Sequence, residues 1–351
     1  MENAKKRARD SDVELPPAKR VYHGETLCEH PGCSHKAYYT TAASAALCGL
    51  HSKKESTRKL LPKNPDAGKI RSEELNQARL AIQQASLENE KSGKIILAKQ
   101  RMMKPLPMTH GYIVVLPNNR ATSPDSDVVW AMPALSPMRL GPVVHHQPGL
   151  PPSENIENFH QFNKVFSSEV ARNNIKDVWY ERRLHGYRDK EPHRHKLGKT
   201  KEEHVREAGG IETSKNANHC RFSVFKNPIT SKEERYTYVQ ARMFYCSFYE
   251  QLATKTADFA KLIDAVYSKK LNIAIVGYDA RDVTAPGALT PEAFAQWYSD
   301  PSLPFGHEMV LAAMVSLWPS RERFPWNVQA KVLLDFDIVT GKKIAQECIE
   351  K

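Results

Sequence analysis

Four side chains near the N-terminus have the types and spacing of a tetrahedral metal site. Cys28 and Cys33 are separated by four residues, Cys33 and Cys48 by fourteen, and Cys48 and His51 by two. Thiolate and imidazole are the ligands a structural zinc prefers. Each short pair closes one edge of the tetrahedron, and the longer loop brings the two pairs together. A segment of about 25 residues with so little apolar content has too small a core to fold alone, so the metal would supply its stability. The spacing therefore predicts one structural zinc on Cys28, Cys33, Cys48 and His51, with His30 and His35 as alternative fourth ligands.

Further along, four polar strings could gather binding or reacting groups: NIENFHQFNKVF (155–166), PHRHK (192–196), GYDARD (277–282) and PFGHE (304–308). GYD ends the most apolar run of the chain, LNIAIVGY (271–278), and the C-terminal end of a buried strand is where open α/β sheets place a ligand crevice. His307 and Glu308 follow Gly306 at an expected helix start, whose free N–H groups favour an anion. These positions predict a nucleotide-like ligand at one crevice. Asp279 would accept a ribose hydroxyl, the helix end would face a phosphate, and His307 would exchange a proton, with Asp279 and His307 both reachable from solvent. Tyr278 lies at the lip of that crevice, and Tyr238 and Arg242, four apart on an expected helix, can share a face toward a ligand. Asp279, His307 and Glu308 are the candidates for chemistry. His193 and His195 have no carboxylate pattern that completes a metal site, and phosphate-loop, GxGxxG, HExxH, GxSxG and zinc-deaminase signatures are absent from the sequence.

The elements that must position these groups follow from periodicity and punctuation. A helix is expected over 72–90, capped by Ser72 and stopped near Gly93. Ten of the 23 prolines fall in 105–152, which excludes a long helix there. That segment reads as an extended strap packed over the body, with one buried strand in HGYIVVL (110–116). Helices are expected over 234–255, 258–268, after the Thr290-Pro291 cap, and over 307–318. Strands are expected at 271–278 and 328–339. Alternation of this kind predicts an α/β fold, or a mixed α+β one, with a mixed or parallel sheet and helical layers behind a small zinc module. The division is a basic disordered tail (1–24), the zinc module (25–55), a helical linker (56–104), the strap (105–152) and the α/β domain (153–351).

The 351 residues are 40% hydrophobic and 26% charged, too apolar for full disorder. No apolar run approaches the roughly 20 residues of a transmembrane helix. The N-terminus lacks the apolar core of a secretory signal. Six cysteines are few for a disulfide scaffold, so the thiols are expected reduced and the protein intracellular, with no membrane partner. The net charge of +11 is unevenly placed: residues 1–110 carry 20 Lys/Arg against 12 Asp/Glu. That basic front predicts weak, salt-sensitive nucleic-acid binding through phosphates. Lys5-Lys6-Arg7-Ala8-Arg9 and Pro17-Ala18-Lys19-Arg20 resemble a bipartite nuclear localisation signal, and so predict an import receptor as a second partner.

Three resemblances add to this reading. CEHPGCSHKAYYTTAASAALCGLH resembles the cysteine repeat of brown-algal virus proteins, which implies metal binding. GYIVVLPN, LSPMRLGPVVHHQPGLP, NIENFHQFNKVF, YTYVQARMFYCSFYEQLA, VGYDA and DPSLPFGHE resemble uncharacterised proteins of large eukaryotic (giant) DNA viruses. That implies a viral protein of the host nucleus, a cytoplasmic viral factory or the virion. FSVFKNPI followed by YVQARMF is similar to the NADAR superfamily, with Tyr238, Gln240, Ala241 and Phe244 on its motif. This implies ADP-ribose-linked N-glycosidase chemistry. The family's acidic residue two places before Tyr238 is Tyr236 here, with Glu234 one place beyond Arg235. The expectation is thus a viral, zinc-binding, nucleic-acid-associated protein whose body binds a nucleotide-like ligand. The alternatives are a NADAR-like enzyme and a non-catalytic virion or factory protein.

Overall fold

The apolar run at 271–278 becomes the centre of a parallel sheet. A computed structural model describes residues 91–101, 109, 111–118, 126–193, 220–285 and 287–344, and in the N-terminal part 39–41, 46–47, 58–60, 73, 77, 80 and 81. The chain divides into two compact units, Met1–Ala81 and Ile82–Lys351.

In the first unit, β1 (Tyr39–Thr41), β2 (Ala46–Leu47) and β3 (Arg58–Leu60) form an antiparallel sheet of order β2-β1-β3. Glu73, Gln77, Leu80 and Ala81 are helical, within the helix expected over 72–90. Cys28, Cys33, Cys48, His51 and the tail 1–24 lie outside the described residues.

The second unit is a mixed α/β fold. Its main sheet is β4 (Ile95–Lys99), β12 (Ile273–Gly277), β5 (Ile113–Leu116) and β6 (Val129–Ala131), all parallel and in that spatial order. All five residues of β12 are buried, as are all four of β5, which is why their sequences read as unbroken apolar runs. A second, antiparallel sheet joins β7 (Lys164–Phe166), β10 (Cys220–Lys226) and β11 (Glu233–Tyr236) in the order β11-β10-β7, and β8 (Val170–Ala171) pairs with β9 (Asn174–Ile175).

Seven α-helices are present among the described residues. They are α1 (Ile156–Phe162), α2 (Asp177–Arg188), α3 (Arg242–Ala253), α4 (Ala257–Ile263), α5 (Pro291–Ser299), α6 (His307–Ser316) and α7 (Pro325–Leu333). A π-helical turn over Asp264–Ser268 extends α4. The expected Thr290 cap forms, its hydroxyl accepting from the Ala293 amide at 3.2 Å, and α1 is capped by Asn155 Oδ1, which accepts from the Asn158 amide at 2.8 Å. α6 packs on β4 and β12, α3 on α6, and α1 and α7 on α3.

Several expectations are corrected. The helix expected over 234–255 starts only at Arg242, because Glu233–Tyr236 pair with β10 as β11. The strand expected at 328–339 is instead α7, started by Pro325 at its first position with Trp326 fully buried beneath it. Val328 and Val332, whose β-branching suggested a strand, are exposed and one turn apart on that helix. The segment read as a helical linker holds β3 and β4, and the strap holds two strands, β5 and β6. The main sheet therefore takes three of its four strands from before residue 153. Leu135, Leu140 and Val143 of the strap are buried, so it is packed down on the body.

Candidate functional site

β12 ends at Gly277, and the lack of a side chain there is required by what lies above it. A Cβ on Gly277 would stand 2.0 Å from Glu308 Oε1 and 2.2 Å from Glu308 Cγ. Glu308, in the first turn of α6, thus lays its carboxylate across the end of the strand and is 1% exposed. Gly306 caps α6 from the other side: the point where its Cβ would stand is 3.1 Å from Glu308 Oε2 and 3.4 Å from Asp279 Oδ2. The strand end and the helix start expected to share a crevice lie side by side, with Glu308 packed against Gly277 and Asp279 against Gly306. Asp279 is partly exposed at its lip, and Tyr278 is 42% exposed.

His307 differs from its expected place. It is buried, not solvent-reachable, and its Nε2 lies 3.1 Å from the Pro117 carbonyl just beyond β5, while Nδ1 lies 3.2 Å from Glu308 Oε2. The ring therefore ties the start of α6 to the strand beside β12 and faces inward.

Arg242 is corrected more fully. Tyr238 and Arg242 do share a face, with the guanidinium 4.9 Å from the Tyr238 ring centre. The guanidinium itself is buried and donates to three carbonyls, those of Trp297, Tyr298 and, at 2.7 Å, Leu303. It clamps the connection from α5 to α6 and has no face left for a ligand. Arg281 holds the same connection through Asp300 at 2.9 Å. Hydrogen bonds from Ser302 and Arg281 draw the Asp300 carboxyl down to about 2. Asp282 Oδ1 accepts from the Lys99 amide at 2.7 Å and so fixes the neighbouring end of β4. These contacts leave Asp279 as the residue of GYDARD that faces the crevice lip.

A small cavity with room for about one water molecule lies between α1, β10 and the start of α3, lined by His160, Asn163, Ser223, Phe244 and Tyr245 among others. The His160 and Tyr245 rings stand 4.8 Å apart. Burial, with Lys164 and Arg242 nearby, holds the His160 imidazole well below its usual range, so it stays neutral. Burial pushes the Tyr245 hydroxyl well above its usual range, reinforced by Glu157 and, on other sides, Tyr249, Cys246 and Glu308. The rings run on from Tyr245 to Tyr249 and from Tyr249 to His307, 6.3 Å at each step. Glu157 is buried and accepts from Gln161 Nε2 at 2.9 Å, and Lys164 Nζ donates to Gln161 Oε1 at 3.1 Å.

Glu157, Lys164 and Tyr245 were not singled out from sequence. The signal for Glu157 and Lys164 was the density of polar side chains in NIENFHQFNKVF, which names a place without assigning roles, and Tyr245 left none of that kind. Glu234 does not replace the missing NADAR acid: it sits on β11, where its oxygens accept from Asn227 Nδ2 and the Tyr236 hydroxyl. His193 closes the C-terminal end of α2 through Asp189 Oδ2 at 2.9 Å, and its amide reaches Asn158 Oδ1. His195 lies outside the described residues. Among the described residues no group of three metal-binding side chains is gathered, and no helix is long and apolar enough to cross a membrane. No family model matches the chain, and neither a curated protein nor a solved structure matches it.

Proposed function

We propose that the body binds a nucleotide-like ligand at the end of β12, in a viral protein whose basic front meets nucleic acid. The observation that carries the binding reading is the meeting of the partly exposed Asp279 with the N-terminus of α6 at Gly306. Asp279 accepts a ribose hydroxyl, and the phosphates lie toward the helix start. A thermal-shift panel of nucleotides tests this. At a concentration 100 times Kd the best member stabilises wild type by about 2.7 kcal/mol, and Asp279→Asn loses that response while melting unchanged when unliganded. A panel with no stabilising member, or an unaltered response in Asp279→Asn, removes the site.

A second reading, cleavage of an N-glycosidic bond, rests on the similarity of FSVFKNPI and YVQARMF to the NADAR superfamily. Chromatography of the stabilising nucleotide after incubation decides it: a released base supports cleavage, and an intact nucleotide leaves binding alone.

For the front of the chain, the proposal is one structural zinc on Cys28, Cys33, Cys48 and His51. The antiparallel β1–β2 hairpin supports it, because it turns the chain back between Cys33 and Cys48. Purified protein should contain one zinc per chain, and Cys33→Ser/Cys48→Ser none. Stoichiometric zinc in that variant excludes this ligand set.

A further inference from the structure

The geometry points to the outer face of α7 as a docking surface whose occupant is the segment that follows Ile344, residues 345–351 of this chain. The inner side of α7 is held by its partners. Trp326 is fully buried, with Nε1 donating to Glu250 Oε2 at 2.8 Å, and the Tyr298 hydroxyl donates to Gln329 Oε1 at 2.6 Å. The outer side is apolar and open. Val328 is 51% exposed, and Val332, one turn on, is at 77% the most exposed large apolar side chain among the described residues. Leu333 is exposed beside it. Two further exposed residues adjoin the end of the helix. The Ile344 amide donates to the Asp335 carbonyl at 2.9 Å, and the loop carrying Ile229 is tied to Asp335 Oδ1 through Asn227 Nδ2 at 3.2 Å. Five of the eleven exposed large apolar side chains among the described residues thus gather at one corner, and a contiguous patch of that kind marks a contact surface.

What covers it follows from the direction of the chain. Phe336 pairs with Lys343 in the antiparallel sense, and Ile344 is bonded to Asp335, so the register steps back toward α7 residue by residue. Residue 345 is thereby directed past Leu334, and those after it alongside the last turns of the helix. The reach is sufficient: five extended residues span about 16 Å, and the nine residues of α7 only about 14 Å. The segment, AQECIEK, also suits the face in chemistry. Ala345, Cys348 and Ile349 supply apolar contact, and Glu347 and Glu350 supply acids. Positive charge meets them at the exposed Lys331, on the same face as Val328 and Val332, and at Lys343 and Arg323 beyond the two ends of α7. Asp335, the acid nearest that path, is engaged by Asn227. A second copy of the chain matches less well, because a two-fold contact centred on Val328 and Val332 would bring the two Lys331 ammonium groups together.

The test places a thiol on the face, Val332→Cys, in the full-length protein and maps the bridges formed on mild oxidation. Cys348 is the thiol that the segment carries, and a bridge requires the two Cα atoms to come within about 7 Å. Most of Val332→Cys should close an intramolecular bridge to Cys348. Val178→Cys, at an exposed valine of α2, should form about tenfold less of such a bridge. Equal bridging in the two variants overturns the docking, and so does the absence of a 332–348 bridge. A 332–348 bridge that joins two molecules also overturns it and assigns the face to a second copy. A second measurement is free of bridge geometry. Ile349→Glu sets a charge against Val328 and Val332 and should speed amide hydrogen exchange over residues 328–334 about tenfold. Exchange there that matches wild type overturns the docking.

Discussion

Acidification from pH 7 to pH 5 is expected to remove about 2 kcal/mol from the stability of the body through the buried His145 imidazole, and the partly buried His160 adds to the loss in the same direction. His145 is 2% exposed, and its neutral form is fully bonded: Nε2 lies 2.8 Å from the Pro151 carbonyl, and Nδ1 accepts from the Gln147 amide at 3.1 Å. A second proton on Nδ1 would break the bond to Gln147. Burial, with the Arg183 charge adding to it, lowers His145 to about 3. Burial, with Lys164 and Arg242, lowers His160 in the same direction. The unfolded chain takes up a proton at each ring near pH 6.5, and the folded chain does not. Stability is therefore full above that pH and falls by about 1.4 kcal/mol per pH unit at His145 below it, with His160 contributing in the same sense. The fall at His145 ends only near its folded value of about 3. A loss of this size is a large part of the roughly 5–15 kcal/mol that domains possess. Urea denaturation at pH 7, 6 and 5 should show midpoints falling steadily, and His145→Gln should remove the part of the fall that His145 supplies, about 1.4 kcal/mol per pH unit below pH 6.5. A pH-independent midpoint over that range would show that both rings titrate normally in the folded protein.

The two rings also mark where sequence reasoning reaches its limit. β12, the Thr290-Pro291 cap and the start of α6 were legible because each is a local pattern, and the strand-end rule then brought Asp279 and the start of α6 together before any coordinates. α3 hides its function by the opposite property. It is buried on nearly every side, from Arg242 to Glu250, so Tyr245 and Tyr249 leave no polar stripe to notice. The acidic Glu250 in the same helix accepts from Trp326 Nε1 at 2.8 Å and from Arg321, a contact 71 to 76 residues away in the chain. Arg183 likewise donates to Gln147, to Asn163 at 2.7 Å and to the Val224 carbonyl, a network drawn from four separate elements. Such partners share no periodicity or spacing, and only the folded chain relates them. α7 was misread for a different reason: β-branched residues on an exposed helix face follow the composition of a strand, and Pro325 was the one local sign against it.

Arg242→Met is expected to destabilise the body by about 3–5 kcal/mol, and so to lower its melting temperature whether or not a nucleotide is present. The sequence alone made Arg242 a ligand contact. A ligand contact, once removed, would weaken binding and leave the unliganded melting temperature where it was. The structure gives the guanidinium three carbonyls, on Trp297, Tyr298 and Leu303, and a buried position in which water cannot replace it. Methionine fills part of the space but donates nothing, so buried carbonyls lose a charged donor, at about 1–3 kcal/mol each before the connection relaxes. Arg242→Lys should recover only a fraction, because a single ammonium cannot span the fork that the three acceptors require. Tyr238→Phe keeps the ring under the guanidinium and should cost less than about 1 kcal/mol. The same clamp sets where α6 begins, with Arg281 and Asp300 on its other flank. Folded Arg242→Lys protein should consequently show a weaker nucleotide response than wild type, although Arg242 touches neither Asp279 nor Glu308 through any hydrogen bond or ion pair. Unchanged melting of Arg242→Met together with lost binding would return Arg242 to the ligand and overturn its assignment as the clamp that holds the helix start against the strand end.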